Sequence, residues 1–186
     1  MRLLDTSTLA LHYFAAEPPP YAILSHTWGD EEVSFQEWQA RDKDPSIEAK
    51  DGFRKVERFC NKASKNGYQW GWADTCCIDK SSSAELSESI NSMFRWYEAS
   101  STCYVYLSDV SENKIDLESE FANSRWFTRG WTLQELIAPE DVVIYNRDWI
   151  HMGTKSDHCE IISQLTGIDH ENLVDFEPNS STLPIA

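Results

Sequence analysis

The sequence lacks several signatures that would decide its chemistry at once. Neither GxGxxG nor GxxxxGK[ST] occurs in its 186 residues, which disfavours a Rossmann oxidoreductase and a P-loop nucleotidase. A GxSxG elbow is also missing, and with it the usual sign of a serine hydrolase. No CxxC pair occurs. The five cysteines (Cys60, Cys76, Cys77, Cys103 and Cys159) are odd in number, which argues against a disulfide framework or zinc ribbon and for a reducing compartment, the cytoplasm. His151, His158, Cys159 and His170 lack metal-ligand spacing, so no metal is expected. No apolar run approaches the ~18 residues of a membrane span, and Asp5 and His12 interrupt the faintly signal-like N-terminus. Positive charge is scarce: 16 Lys and Arg stand against 31 Asp and Glu, a net charge of −15. Such a chain is a poor partner for a nucleic-acid backbone or an anionic membrane, so neither is expected.

What is present is a globular composition: 41% of residues are hydrophobic and 12% aromatic, with eight Trp. The length suits one domain, read as residues 1–176, with a polar tail over 177–186 leading towards a linker or further domains. Pro18-Pro19-Pro20 breaks the chain before Tyr21–Ser25, a continuous apolar run read as a buried strand. Phe53, Val56, Phe59, Cys60 and Ala63 recur at helical spacing and predict a helix closed by Asn66-Gly67. Trp70 to Ile78 is read as a second buried strand. Ser82 and Glu85 have capping-box spacing and open a helix with Leu86, Ile90, Met93, Phe94 and Tyr97 on one face. Thr102–Leu107 is a third strand, a short helix is expected over Asp116–Phe121, and Thr132–Ala138 is a helix stopped by Pro139. Val142–Tyr145 is a fourth strand, and Cys159–Leu165 a last helix. Alternating strands and helices, with strands apolar throughout, predict an α/β domain with a largely parallel central sheet flanked by helices. In such sheets the ligand site lies at the carboxyl ends of the strands, here His26–Asp30, Ile78–Ser81, Leu107–Asp109 and Asn146–Asp148.

Three blocks resemble the HET (heterokaryon incompatibility) domain family. They are Tyr21-Ala22-Ile23-Leu24-Ser25-His26-Thr27-Trp28-Gly29; Trp72–Lys80 followed by Glu85–Asp109; and Ser124–Pro139 with its Trp126-Phe127-Thr128-Arg129-Gly130-Trp131-Thr132-Leu133-Gln134-Glu135-Leu136 core. The resemblance implies a fungal cell-death domain, often N-terminal in larger proteins that carry further regulatory domains. Trp131-Thr132-Leu133-Gln134-Glu135-Leu136, after Ser124-Arg125-Trp126, is in turn similar to a TIR-domain pattern, and Tyr21–Ser25 looks like a first TIR strand ending in Ser. That similarity implies a TIR-like, flavodoxin-like three-layer fold. It also implies NAD as a substrate, without a bound cofactor, and self-association into a homo-oligomer when active. In enzymatic TIR domains the corresponding Glu cleaves the nicotinamide–ribose bond; carried over, it is Glu135.

Such chemistry asks little of a site. Nicotinamide leaves as a neutral group from a cationic precursor, through an oxocarbenium-like transition state that one carboxylate stabilises. Glu135 is the catalytic candidate. Ser25, His26, Trp28, Gly29, Asp79, Arg125 and Trp131 are the candidates to line the pocket, with Arg129 a further pyrophosphate donor. A plainer reading competes: Thr132-x-x-Glu135 is itself a capping box, and Glu135 could serve only its own helix. Trp126 and Trp131 could likewise be core rings, and Asp74 a buried carboxylate bonded to backbone N–H groups or an Arg. Ser25 and His26 are adjacent on a strand and point to opposite faces, so they do not make a nucleophile–base pair. Cys76 and Cys77, in a buried strand, read as inert. A non-enzymatic signalling module that acts by self-association is the alternative function.

Overall fold

The computed structural model describes residues 1–111 and 117–174. The domain end expected at 176, the tail at 177–186 and Asp116 lie outside the described residues. Seven strands form one mixed sheet: β1 (Arg2–Asp5), β2 (Leu11–Tyr13), β3 (Tyr21–His26), β4 (Trp70–Trp72), β5 (Thr102–Leu107), β6 (Val142–Asn146) and β7 (His151–Thr154), in the order β2-β1-β4-β3-β5-β6-β7. The middle four, β4-β3-β5-β6, are parallel, and the outer pairings of β1 with β2 and β4 and of β6 with β7 are antiparallel. The expectation of a largely parallel sheet therefore holds for the centre, and antiparallel strands border it on both sides. Numbered by chain order, the parallel four run 2-1-3-4, as doubly wound sheets do, and the order reverses between β3 and β5. That reversal opens a crevice at the carboxyl ends of these strands.

Physical reasons for the central elements are plain. β3 is buried at all six positions and β5 at five of six, so both sheet faces are covered. Helices α1 (Phe35–Ala40) and α2 (Asp51–Lys65) come between β3 and β4. α2 buries Phe53, Val56, Phe59, Cys60 and Ala63 at helical spacing, and Gly67 closes it at φ +89°. Burial of each large side chain contributes roughly 1.5–3 kcal/mol. Gly52, in the first turn of α2, donates its N–H to the Glu31 carbonyl; a Cβ there would lie 2.5 Å from that oxygen, so only glycine lets the loop after β3 rest on the helix.

The second strand is shorter than expected. It ends at Trp72, and Asp74–Cys77 form a single helical turn, α3, with the Cys77 N–H on the Ala73 carbonyl. A short apolar run does not distinguish buried strand from buried helix, and here the helix won. The consequence is functional: the carboxyl end of this strand is Ala73-Asp74, and Asp79 sits beyond it. α4 (Ser83–Glu98) starts as expected, with Ser82 accepting the Glu85 N–H. The box is half-formed, because the Glu85 carboxylate takes the Asp79 N–H and Arg2 instead. α5 (Leu117–Ala122), a 3-10 turn (Arg125–Thr128) and α6 (Thr132–Ile137) lead to β6, and α7 (Cys159–Thr166) and α8 (His170–Val174) follow β7. Strands β1, β2 and β7 and helices α1 and α8 were not expected.

Candidate functional site

The end of β3 delivers two neighbours to different partners. Ser25 is fully buried; its hydroxyl donates to Glu135 Oε2 at 2.6 Å and accepts the Trp126 indole N–H at 2.8 Å. His26 turns Nε2 to Asp74 Oδ1 at 3.0 Å. The opposed faces expected of adjacent strand residues are thus used by two separate carboxylates.

Glu135 comes from the first turn of α6. The capping box expected there does not form. The N-cap residue is Trp131 and offers no side-chain cap, the Thr132 hydroxyl donates to the Trp126 carbonyl, and the Glu135 carboxylate points away from the helix end. Arg129 holds it with both guanidinium nitrogens, at 3.1 and 3.3 Å. Trp126 is placed by Ser124, which caps the 3-10 turn and is itself anchored, with the Arg125 N–H, on Asp109 in the turn after β5. Trp126 is a core ring, 1% exposed, whose N–H aligns Ser25 on Glu135.

Asp74 opens α3 and receives three side chains: His26, the Trp28 indole N–H at 2.9 Å and Lys80 at 3.6 Å. Lys80 also lies 3.5 Å over the Trp28 ring, a cation–π contact. The two carboxylates differ in proton affinity. Burial pushes the Glu135 carboxyl above its ordinary range, against the pull of Arg129 and Ser25. Asp74 is also raised by burial, but the His26 hydrogen bond and charge, with Lys80 and Arg129, outweigh this and bring it down to about 2.

Both carboxylates line one cavity of about 500 Å³. Its wall is apolar: Ile78 with Leu86, Ile90, Met93 and Tyr97 of α4, the helix face whose periodicity is visible in the sequence. Trp28 and Trp131, each 47% exposed, line the same cavity. Such a cavity, mostly apolar with a few convergent charged groups, is the form small-molecule sites take.

The sequence candidates divide accordingly. Glu135, Trp28 and Trp131 line the cavity, and Ser25 and His26 support its carboxylates from behind. Gly29 and Arg125 line a different, neighbouring cavity. Asp79 is occupied by Gln36 and Ser81 and is not among the cavity residues. Asp74 takes the place expected for Asp79, following the early end of β4. Arg129 is an ion-pair partner of Glu135 rather than a free phosphate donor. Lys80 was missed as a site residue; its place as the last residue of the Trp72–Lys80 block was the available signal. Among the described residues no group of three or more His, Cys, Asp or Glu could hold a metal ion, and no helix is long and apolar enough to cross a membrane.

Comparison with known proteins puts the chain in context. The family model described as heterokaryon incompatibility protein (HET) matches residues 21–120. The chain is 49% identical over 164 residues to vegetative incompatibility protein HET-E-1 of Podospora anserina, a match that covers 83% of this chain and 12% of that protein. The chain thus spans a small part of the relative's length. No solved structure matches. A family model covering more than half of the chain, over the segment that carries Ser25, Trp28 and Asp74, shows that this protein belongs to the heterokaryon incompatibility (HET) family.

Proposed function

We propose that this domain is a TIR-like cell-death effector that hydrolyses NAD to nicotinamide and ADP-ribose, with Glu135 as the catalytic carboxylate. The observation that carries this reading is Glu135 itself: a buried carboxylate of raised proton affinity that lines an apolar, ring-bordered cavity at the strand ends. The 2.6 Å bond from Ser25 to Glu135 adds support, because it joins the strand-end Ser and the helix Glu that the TIR-like pattern pairs. The 2-1-3-4 order of the parallel strands is compatible with the same fold.

The reaction follows from these groups. Nicotinamide sits against the apolar wall beside Trp28 or Trp131. The bond from ribose C1′ to the ring nitrogen breaks, and its electron pair neutralises the pyridinium. Positive charge grows on C1′ and the ring oxygen, where the ionised Glu135 stabilises it in surroundings of low dielectric. Water adds to C1′ and its proton passes to solvent. Ser25 and Arg129 keep the carboxylate fixed, so little reorganisation accompanies the charge development. Self-association of copies is proposed to accompany activity.

One observation favours the second reading, a signalling module without catalysis. Glu135 is 3% exposed and already accepts from Ser25 and both Arg129 nitrogens, so a purely structural ion pair would look the same. A time course of nicotinamide release from NAD separates the two. The native domain, concentrated with a crowding agent, is expected to release nicotinamide, and Glu135→Gln, checked for folding by circular dichroism, to fall about 10²–10³-fold. No release from folded, self-associated native protein would leave the signalling module as the function.

A further inference from the structure

A second cavity adjoins the Glu135 pocket. Its volume is about 770 Å³, and Thr27 lines both. The next two residues diverge: Trp28 lines the first cavity and Gly29 the second. Behind this shared strip His26 spans both walls, with Nε2 on Asp74 and Nδ1 3.9 Å from Glu32, which lines the second cavity. The two cavities are therefore halves of one crevice along the carboxyl ends of β3, β5 and β6.

Two independent features distinguish the second half. The first is charge. Four of the eight arginines of this strongly acidic chain, Arg54, Arg58, Arg125 and Arg147, line it together with Lys55, facing the carboxylates of Asp30, Glu31, Glu32, Asp51 and Asp148 on the same wall. Three have only loose partners, Asp51 at 3.6 Å, Asp109 at 3.8 Å and Asp148 at 3.6 Å respectively for Arg54, Arg125 and Arg147, at exposed positions where ion pairs are weak. A phosphate offers each guanidinium a stronger, two-pronged acceptor, and exchange of these loose pairs costs little. The second feature is strain. Trp149, 7% exposed, is held at φ +61°, a conformation that bulky side chains rarely adopt and that tends to persist at functional sites. It stacks on Tyr106 with centroids 4.8 Å apart and planes 23° from parallel, its indole N–H has no partner among the described residues, and both rings line the cavity.

We propose that this second cavity binds the adenosine diphosphate part of the dinucleotide whose nicotinamide–ribose bond meets Glu135, with the arginines on the phosphates and the Tyr106–Trp149 pair beside the base. This rests on the proposed chemistry at Glu135 and deepens it: the substrate class is a dinucleotide, and a nicotinamide mononucleotide or riboside fills only half of the crevice.

ADP, which lacks the nicotinamide–ribose bond, is the probe. Calorimetric titration of the native domain with ADP is expected to show binding that weakens as salt rises and falls about tenfold or more in an Arg58→Gln/Arg147→Gln protein. The same double substitution is expected to raise KM for NAD by a similar factor, and the native domain to prefer NAD to nicotinamide mononucleotide. Absence of ADP binding to the folded native domain, or binding indifferent to the double substitution, overturns the inference. ADP binding without nicotinamide release leaves the second cavity as a nucleotide site and rejects the chemistry at Glu135. Equal release from NAD and the mononucleotide, without competition by ADP, keeps that chemistry and rejects the second cavity.

Discussion

Glu135 and Asp74 line one cavity, yet their surroundings push them apart. Asp74 is the more exposed of the two and is held by one imidazole, one indole and one ammonium group; against its burial, the His26 hydrogen bond and charge, with Lys80 and Arg129, bring its carboxyl down to about 2. Glu135 is nearly sealed, backed by Ser25 and the Trp126 ring, and its carboxyl is raised despite Arg129. Two titratable groups with diverging proton affinities in one cleft indicate a division of labour. Asp74 is a permanent anion that fixes His26, Trp28 and Lys80. Glu135 is the group whose charge costs most to maintain in the resting site, and it gains most when a positive charge develops beside it.

This contrast can be broken at each support. The largest effect on stability is expected from Trp126→Ala, which empties a fully packed ring site behind Glu135 and should cost about 3–5 kcal/mol in denaturant unfolding. A cost below that of an ordinary surface change would mean that Glu135 lacks the rigid backing assigned to it. Asp74→Ala should come next, at about 1–3 kcal/mol, because it strands the buried His26 Nε2 without its acceptor. Trp131→Ala should move stability by no more than about 0.5 kcal/mol, as a half-exposed ring does, while raising KM for NAD. Equal losses of stability from Trp126→Ala and Trp131→Ala would erase the distinction between a ring that builds the site and one that borders it.

The sequence made the centre of this molecule readable and its margins obscure. β3, β5 and β6 are mostly apolar and buried at nearly every position, and α2 and the wall-forming face of α4 follow helical spacing, so burial itself wrote the pattern. β1 buries only Leu3 and Leu4, and β7 contains Gly153 and an exposed His151, too little for a period-two signal. α1 carried a legible capping box, Ser34 with Glu37, but only Phe35 and Trp38 are buried behind it. At the site, Ser25, Trp28, Trp131 and Glu135 were readable because they fall in the three blocks. Asp74 was displaced by Asp79 through one misassigned turn. The Arg129–Glu135 pair depends on how the turn before α6 folds, which spacing alone does not encode.

The pH dependence of nicotinamide release tests the central claim most directly. The proposed catalysis needs Glu135 ionised, so release is expected to rise with pH through a midpoint above the ordinary glutamate value of about 4.5. Arg129 pulls that proton affinity down; with Arg129→Gln the pull is gone and the midpoint should move to still higher pH. Asp74→Asn removes a neighbouring negative charge and should move it lower. An acid limb at or below 4.5 that neither substitution shifts would show that Glu135 is not the group whose ionisation drives the reaction.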